Sequence, residues 1–217
     1  MARTAATSKP GGKKVKEKAG KIGMQQFHGM LILAQWARSF FQGSDFRILQ
    51  RALNRKELEG VNPESGHTRF FHELMDSTLF NMNRVERHTF TRYDKNIVRH
   101  WNRITEQRNK EEGKTLEMKY FQYLTLLVTE LYLDWFFNHR TELLAELNER
   151  ASEYKQANPK TRIVAYIDAP ADAPIFTEDT LRKIAYWEAT GAGKTLMLHV
   201  NLLQYLAYAG KAGNLPD

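Results

Sequence analysis

Cysteine is missing from all 217 residues, which excludes a disulfide scaffold and any zinc site built on thiolates. The amino terminus has no apolar run of the kind a secretion signal needs, and nothing reads His-Glu-x-x-His. A reducing, cytoplasmic setting fits these absences. Self-similarity at solenoid periods is also missing. What is present is enough to fold: apolar residues make up 42% and aromatics 12%, and the length suits one or two domains with a proper core.

The formal charge of +7 resembles a nucleic-acid signal until it is located. Residues 1–21 hold Arg3, Lys9, Lys13, Lys14, Lys16, Lys18 and Lys21 against Glu17, a local +6, so the remaining chain sums to +1. With almost no large apolar side chains, that tail cannot repay the entropy of ordering. It reads as a disordered, solubilising end, or as a salt-sensitive arm for nucleic acid.

Residues 22–157 read as a helical domain, a bundle of four to six helices. Phe27, Leu31, Ala34 and Ala37, with Met30, Leu33, Trp36 and Phe40 beside them, form a broad apolar stripe over residues 24–41. A second helix is expected over 45–59, with Phe46, Leu49, Leu53 and Leu58 inward, and a third over 67–82 through Phe70, Phe71, Leu74, Met75 and Leu79. His67, His72 and His88 lie close to Glu73 and Asp76, yet His67 and His72 are five apart and fall on different helix faces, which argues against a metal site.

Residues 83–110 are the basic stretch, with eight cations against Glu86, Asp94 and Glu106. Tyr93, Ile97, Trp101 and Ile104 make an apolar seam at helical spacing, and Arg92, Lys95, Arg99 and Arg103 form a stripe about 100° round the same helix. Such a row either meets nucleic-acid phosphates or is simply solvated. Residues 116–137 are apolar on nearly every side and are expected to sit at the centre of the bundle, Trp135 and Phe136 buried with them. The helix is expected to continue to about Lys155. Glu130 and Asp134 inside it argue against a membrane span. Four residues apart, they read as a solvent-facing strip or as partners for nearby arginines rather than as an acid/base pair.

The character changes after Asn158-Pro159. Residues 162–167, RIVAYI, read as a strand, and 168–179 as a loop with Pro170 and Pro174; together 158–183 form a linker with a short strand. Residues 184–187 are a second β-leaning run, leading into Ala189, Thr190, Gly191, Ala192, Gly193, Lys194 and Thr195, and then into an apolar helix over 196–208. Strand, glycine turn and helix is the order of a phosphate-binding loop. Glycine lets backbone N–H groups curl round an anion, and the helix aims its positive end at the same place. Lys194 would serve the β- and γ-phosphates of ATP and the Thr195 hydroxyl a Mg²⁺ ion. The five matched types would recur by chance in about one in several thousand chains of this length.

The first glycine of the common Gly-x-x-x-x-Gly-Lys-Thr pattern would fall at 188, where Glu188 stands. Ala-Thr-Gly-Ala-Gly-Lys-Thr instead resembles motif I of superfamily 2 helicases. With YFQYLTLLVTELYLDWFF over 120–137, the segment over 183–206 resembles DEAD/DEAH-box proteins related to the helicase subunit of type III restriction enzymes. The resemblance implies a mainly α chain: an N-terminal helical bundle, then the first strand–loop–helix unit of a truncated RecA-like α/β motor domain over 184–217. It implies ATP and Mg²⁺ at Thr190, Gly191, Ala192, Gly193, Lys194 and Thr195, DNA or a partner subunit of a defence complex as partner, and no membrane.

Two readings follow. The chain is the front of an ATP-dependent DNA helicase or translocase of restriction or phage-defence type, ending just after motif I and unable to turn over ATP alone. Alternatively it is a non-catalytic helical binding module with a vestigial phosphate loop. A small-molecule kinase sharing the loop is a third option.

Overall fold

The segment that should be buried on all sides is helical and central. The computed structural model describes residues 31–42, 46–158, 175–186 and 191–213. Helices occupy most of them: α1 (Ile32–Arg38), α2 (Phe46–Leu53), a 3₁₀ turn at Lys56–Leu58, α3 (Arg69–Asp76), α4 (Arg87–Glu112), α5 (Tyr120–Asn138), α6 (Arg140–Ala157), the single turn α7 (Glu178–Leu181) and α8 (Lys194–Lys211). Helix α5 packs against α1, α2, α4, α6 and α8. Among the described residues no helix is long and apolar enough to cross a membrane.

The core is aromatic. Trp36 is fully buried and meets Phe40, Trp135 and Tyr132 edge-on, with ring centroids at 4.8, 5.6 and 6.2 Å. Phe80 stacks on Phe90 at 3.9 Å and Phe70 on Tyr123 at 5.3 Å. Arg84 lies over Phe40, 4.4 Å from its centroid, and closes a two-bond fork on Glu146 at 2.8 and 2.7 Å. Trp135 and Phe136, expected to be buried, are half-buried at the edge of this cluster.

Local chemistry sets the ends of the elements. Thr68 caps α3 by accepting from Phe71 N at 3.0 Å, while its own hydroxyl and N–H donate to the buried Asp94. Helix α3 is shorter than the expected 67–82, for the chain turns at Thr78 (φ 55) and Phe80 makes an isolated bridge with Phe41. The helix expected over 45–59 ends at Leu53 and gives way to the 3₁₀ turn. Gly113 ends α4 in the left-handed region at φ 60. The helix expected to run from 116 to about 155 is two helices, broken at His139, whose φ of −138 leaves the helical region.

The expected strand–loop–helix unit is only partly there. Residues 183–186 form no strand, and the β pairings among the described residues are isolated bridges, Phe41 with Phe80 and Val61 with Thr68. A strand needs a neighbour's backbone groups, and the neighbour along 181–186 is a helix: Tyr132 OH donates to Leu181 O, and the Tyr186 and Thr129 hydroxyls pair at 2.8 Å. Trp187 and the strand expected over 162–167 lie outside the described residues, as do the tail 1–21 and Thr190. Leu181, Met197 and Val200 share one hydrophobic cluster with the core of the bundle.

Candidate phosphate-loop site

Gly191 and Gly193 both take positive φ, 81 and 83, and Lys194 is the first residue of the 18-residue α8. Only glycine adopts two such turns so close together without strain. Gly193 is the N-cap and has no side chain with which to bond the first turn, and that turn contains no acid. The start of such a helix, with its positive dipole end and no acid in the first turn, suits an anion. Lys194 and Thr195 are exposed. With Tyr186, Met197, Leu198 and Asn201 they line a cavity of about 320 Å³. Backbone donors, an ammonium and a hydroxyl form a set that fits phosphate oxygens and their cation.

The loop is held from α5. Gln122 Nε2 donates to Ala192 O at 3.0 Å, and Gln122 Oε1 accepts from Lys119 N at 2.9 Å. Helix α8 then runs in the same direction as α5, from Ala192 beside Gln122 to Tyr208 stacked on Phe137 at 6.1 Å. Midway, Gln204 Nε2 donates to Leu126 O at 3.0 Å and to Glu130 Oε1 at 2.9 Å. Tyr208 OH donates to Glu130 Oε2 at 2.9 Å and Asn96 Nδ2 to the same oxygen at 3.3 Å.

Glu130 and Asp134 are thus not a solvent-facing strip; both are buried. Burial pushes the Glu130 carboxyl up to about 7, against the pull of its three hydrogen-bond donors. Asp134 does pair with an arginine, receiving Arg92 Nη2 at 3.1 and 3.2 Å, besides the Tyr93 hydroxyl and Asn138 Nδ2. Burial, with Asp134 beside it, drives the Tyr93 hydroxyl far up, and burial with Glu130 does the same to Tyr208, so both stay protonated. The sequence carried a signal for this cluster, since two acids one turn apart in an otherwise apolar helix need partners from elsewhere.

On α4 the seam is real: Tyr93, Ile97 and Trp101 are buried and Ile104 half-buried. The cationic stripe is divided. Arg92 is committed to Asp134, whereas Lys95, Arg99 and Arg103 stand at the surface, Arg99 also donating to Asn96 Oδ1 at 3.1 Å. Beneath them His100 is buried, and burial, then Arg99 and Arg103, push it down to about 4, so it is neutral at pH 7. Farther along, Arg108 and Lys110 pair with Glu112 and Glu106.

His67, His72 and His88 each pair with a separate group. His67 Nδ1 donates to Asp94 at 2.8 Å, His72 pairs with the Ser65 hydroxyl and His88 with Glu86. The rings of His67 and His72 do meet edge-on at 6.1 Å, because His67 precedes the α3 cap and is not part of the helix. Among the described residues no three histidines or acids gather as a metal-binding group. Comparison with protein-family models, curated proteins and solved structures finds no match.

Proposed function

We propose that this chain carries the nucleotide-binding loop of an ATP-dependent DNA translocase or helicase, of the restriction or phage-defence type that its motif I resembles. The loop at residues 190–195 takes the triphosphate, Lys194 neutralises its terminal phosphates, and the Thr195 hydroxyl ligates Mg²⁺. The observation that carries this reading is the pair of left-handed glycines leading directly into Lys194 at the start of an 18-residue helix. Helix α8 also has room for the rest of a motor core. Leu198, Leu202, Tyr205 and Leu206 repeat at helical spacing and stay exposed, Leu198 at 64% and Leu202 at 54%. That face can take a sheet while the opposite face remains on α4 and α5.

The second reading, a helical binding module with a vestigial loop, draws on a different observation: α8 docks on a helical bundle and no strand precedes the loop among the described residues. Titration of the chain with a fluorescent ATP analogue and Mg²⁺, against Lys194→Ala, separates the two. The motor reading expects binding that weakens at least about 10-fold in Lys194→Ala. It also expects hydrolysis near background, because phosphoryl transfer needs an oriented water and further charge at the transition state. Equal binding by the two proteins, or none by either, would overturn the motor reading.

A further inference from the structure

We infer that Gln122, on the first turn of α5, is a positioning residue for the phosphate loop, so that the helical domain sets how well the loop takes a nucleoside triphosphate. The inference rests on the nucleotide-binding reading above and adds a residue that lies 70 positions from the loop in sequence.

The geometry has three parts. The Gln122 amide is fixed in orientation, because its Oε1 accepts from Lys119 N and its Nε2 is thereby turned to donate to Ala192 O. The side chain is buried, 8% exposed, so water does not readily replace that bond. The loop and the amide are also in close contact: a Cβ on Gly193 would lie 2.9 Å from Gln122 Nε2 and would have to push the amide aside.

A planar trans peptide holds its C=O and N–H on opposite sides. Pinning Ala192 O toward α5 therefore aims the Gly193 N–H away from α5. That N–H is one of the donors a phosphate chain would use. Gln122 fixes its direction before the ligand arrives, which lowers the ordering cost of binding. Lys119, whose N–H holds the other end of the amide, is itself tied to Glu59 by an ion pair at 2.7 Å, so the loop is braced against the bundle as far as the 3₁₀ turn.

The test compares wild type, Gln122→Glu, Gln122→Met and Lys194→Ala as full chains, titrated with Mg²⁺ and a fluorescent ATP analogue. The Gly193 amide resonance is followed in ¹⁵N-labelled protein. Gln122→Glu keeps the acceptor for Lys119 N and loses the donor to Ala192 O; Gln122→Met loses the donor without adding a charge. Both are expected to weaken ATP binding roughly 3- to 10-fold, to keep the helical circular dichroism, and to shift the Gly193 amide in the unliganded protein. A role confined to capping α5 would leave Gln122→Glu at wild-type affinity with the Gly193 resonance unmoved, and that result overturns the inference alone. Loss of binding in Lys194→Ala with both Gln122 variants unaffected does the same. If wild type binds no nucleotide, the inference falls together with the reading it rests on.

Discussion

Replacing Glu130 by Gln tests the buried joint between α5 and α8, and the sign of the effect follows from the carboxyl's surroundings. It is bonded by Asn96 from α4 and by Gln204 and Tyr208 from α8, with Asp134 one turn along α5 and the Tyr93 hydroxyl of α4 nearby. Its ordinary value of 4.5 is raised to about 7 by burial. Between those two values the unfolded chain gives up a proton that the native chain keeps, so stability falls as pH rises, from near 4.5 until the loss is complete just above 7. At about 1.4 kcal/mol per pH unit the whole effect is about 3 kcal/mol. Gln has nearly the same shape and no charge to lose. The stability of Glu130→Gln minus that of wild type should therefore climb by about 3 kcal/mol between pH 4.5 and 8, whatever its starting offset. Urea denaturation followed by circular dichroism at several pH values gives the curve. The difference is needed because His100 acts in the opposite direction: held down near 4, it withdraws stability as pH falls below 6.5, flattening the wild-type profile. A difference that stays level with pH, or one that runs against Gln as pH rises, would refute the reasoning.

Two further outcomes are expected. Trp36→Ala empties a fully buried site ringed by Phe40, Tyr132 and Trp135 and should cost about 3–5 kcal/mol in denaturant unfolding; a loss under about 1 kcal/mol would mean the aromatic cluster is misplaced. Changing Lys95, Arg99 and Arg103 together to Gln should lower the salt slope of DNA binding by up to about 3, at roughly 0.9 per phosphate contact, with deletion of residues 1–21 as the comparison; an unchanged slope would remove the stripe from the binding surface.

What the sequence made legible is what neighbouring residues decide. The all-round apolar character of 116–137 marked the central helix, which begins at Tyr120, and the spacing of four between Tyr93, Ile97 and Trp101 marked the buried seam of α4. Gly191, Gly193 and Lys194 marked a helix entry, and a helix does begin at Lys194, after two glycines in the left-handed region. The break at His139 was hidden because neither glycine nor proline stands there. Stripe and acid pair were each legible, but not that Asp134 would claim Arg92 from 42 residues away, or that Glu130 would gather donors from α4 and α8. The brace from Gln122 belongs to the same class, since no local pattern announces a bond across 70 residues. The run at 184–187 shows the limit most clearly. Isoleucine and the aromatics give a segment the side chains of a strand, but a strand is made by a partner's N–H and C=O groups. Tyr186 has the hydroxyl of Thr129 beside it and Leu181 O, just upstream, takes the Tyr132 hydroxyl, so residues 183–186 lie against side chains of α5 and form no backbone ladder.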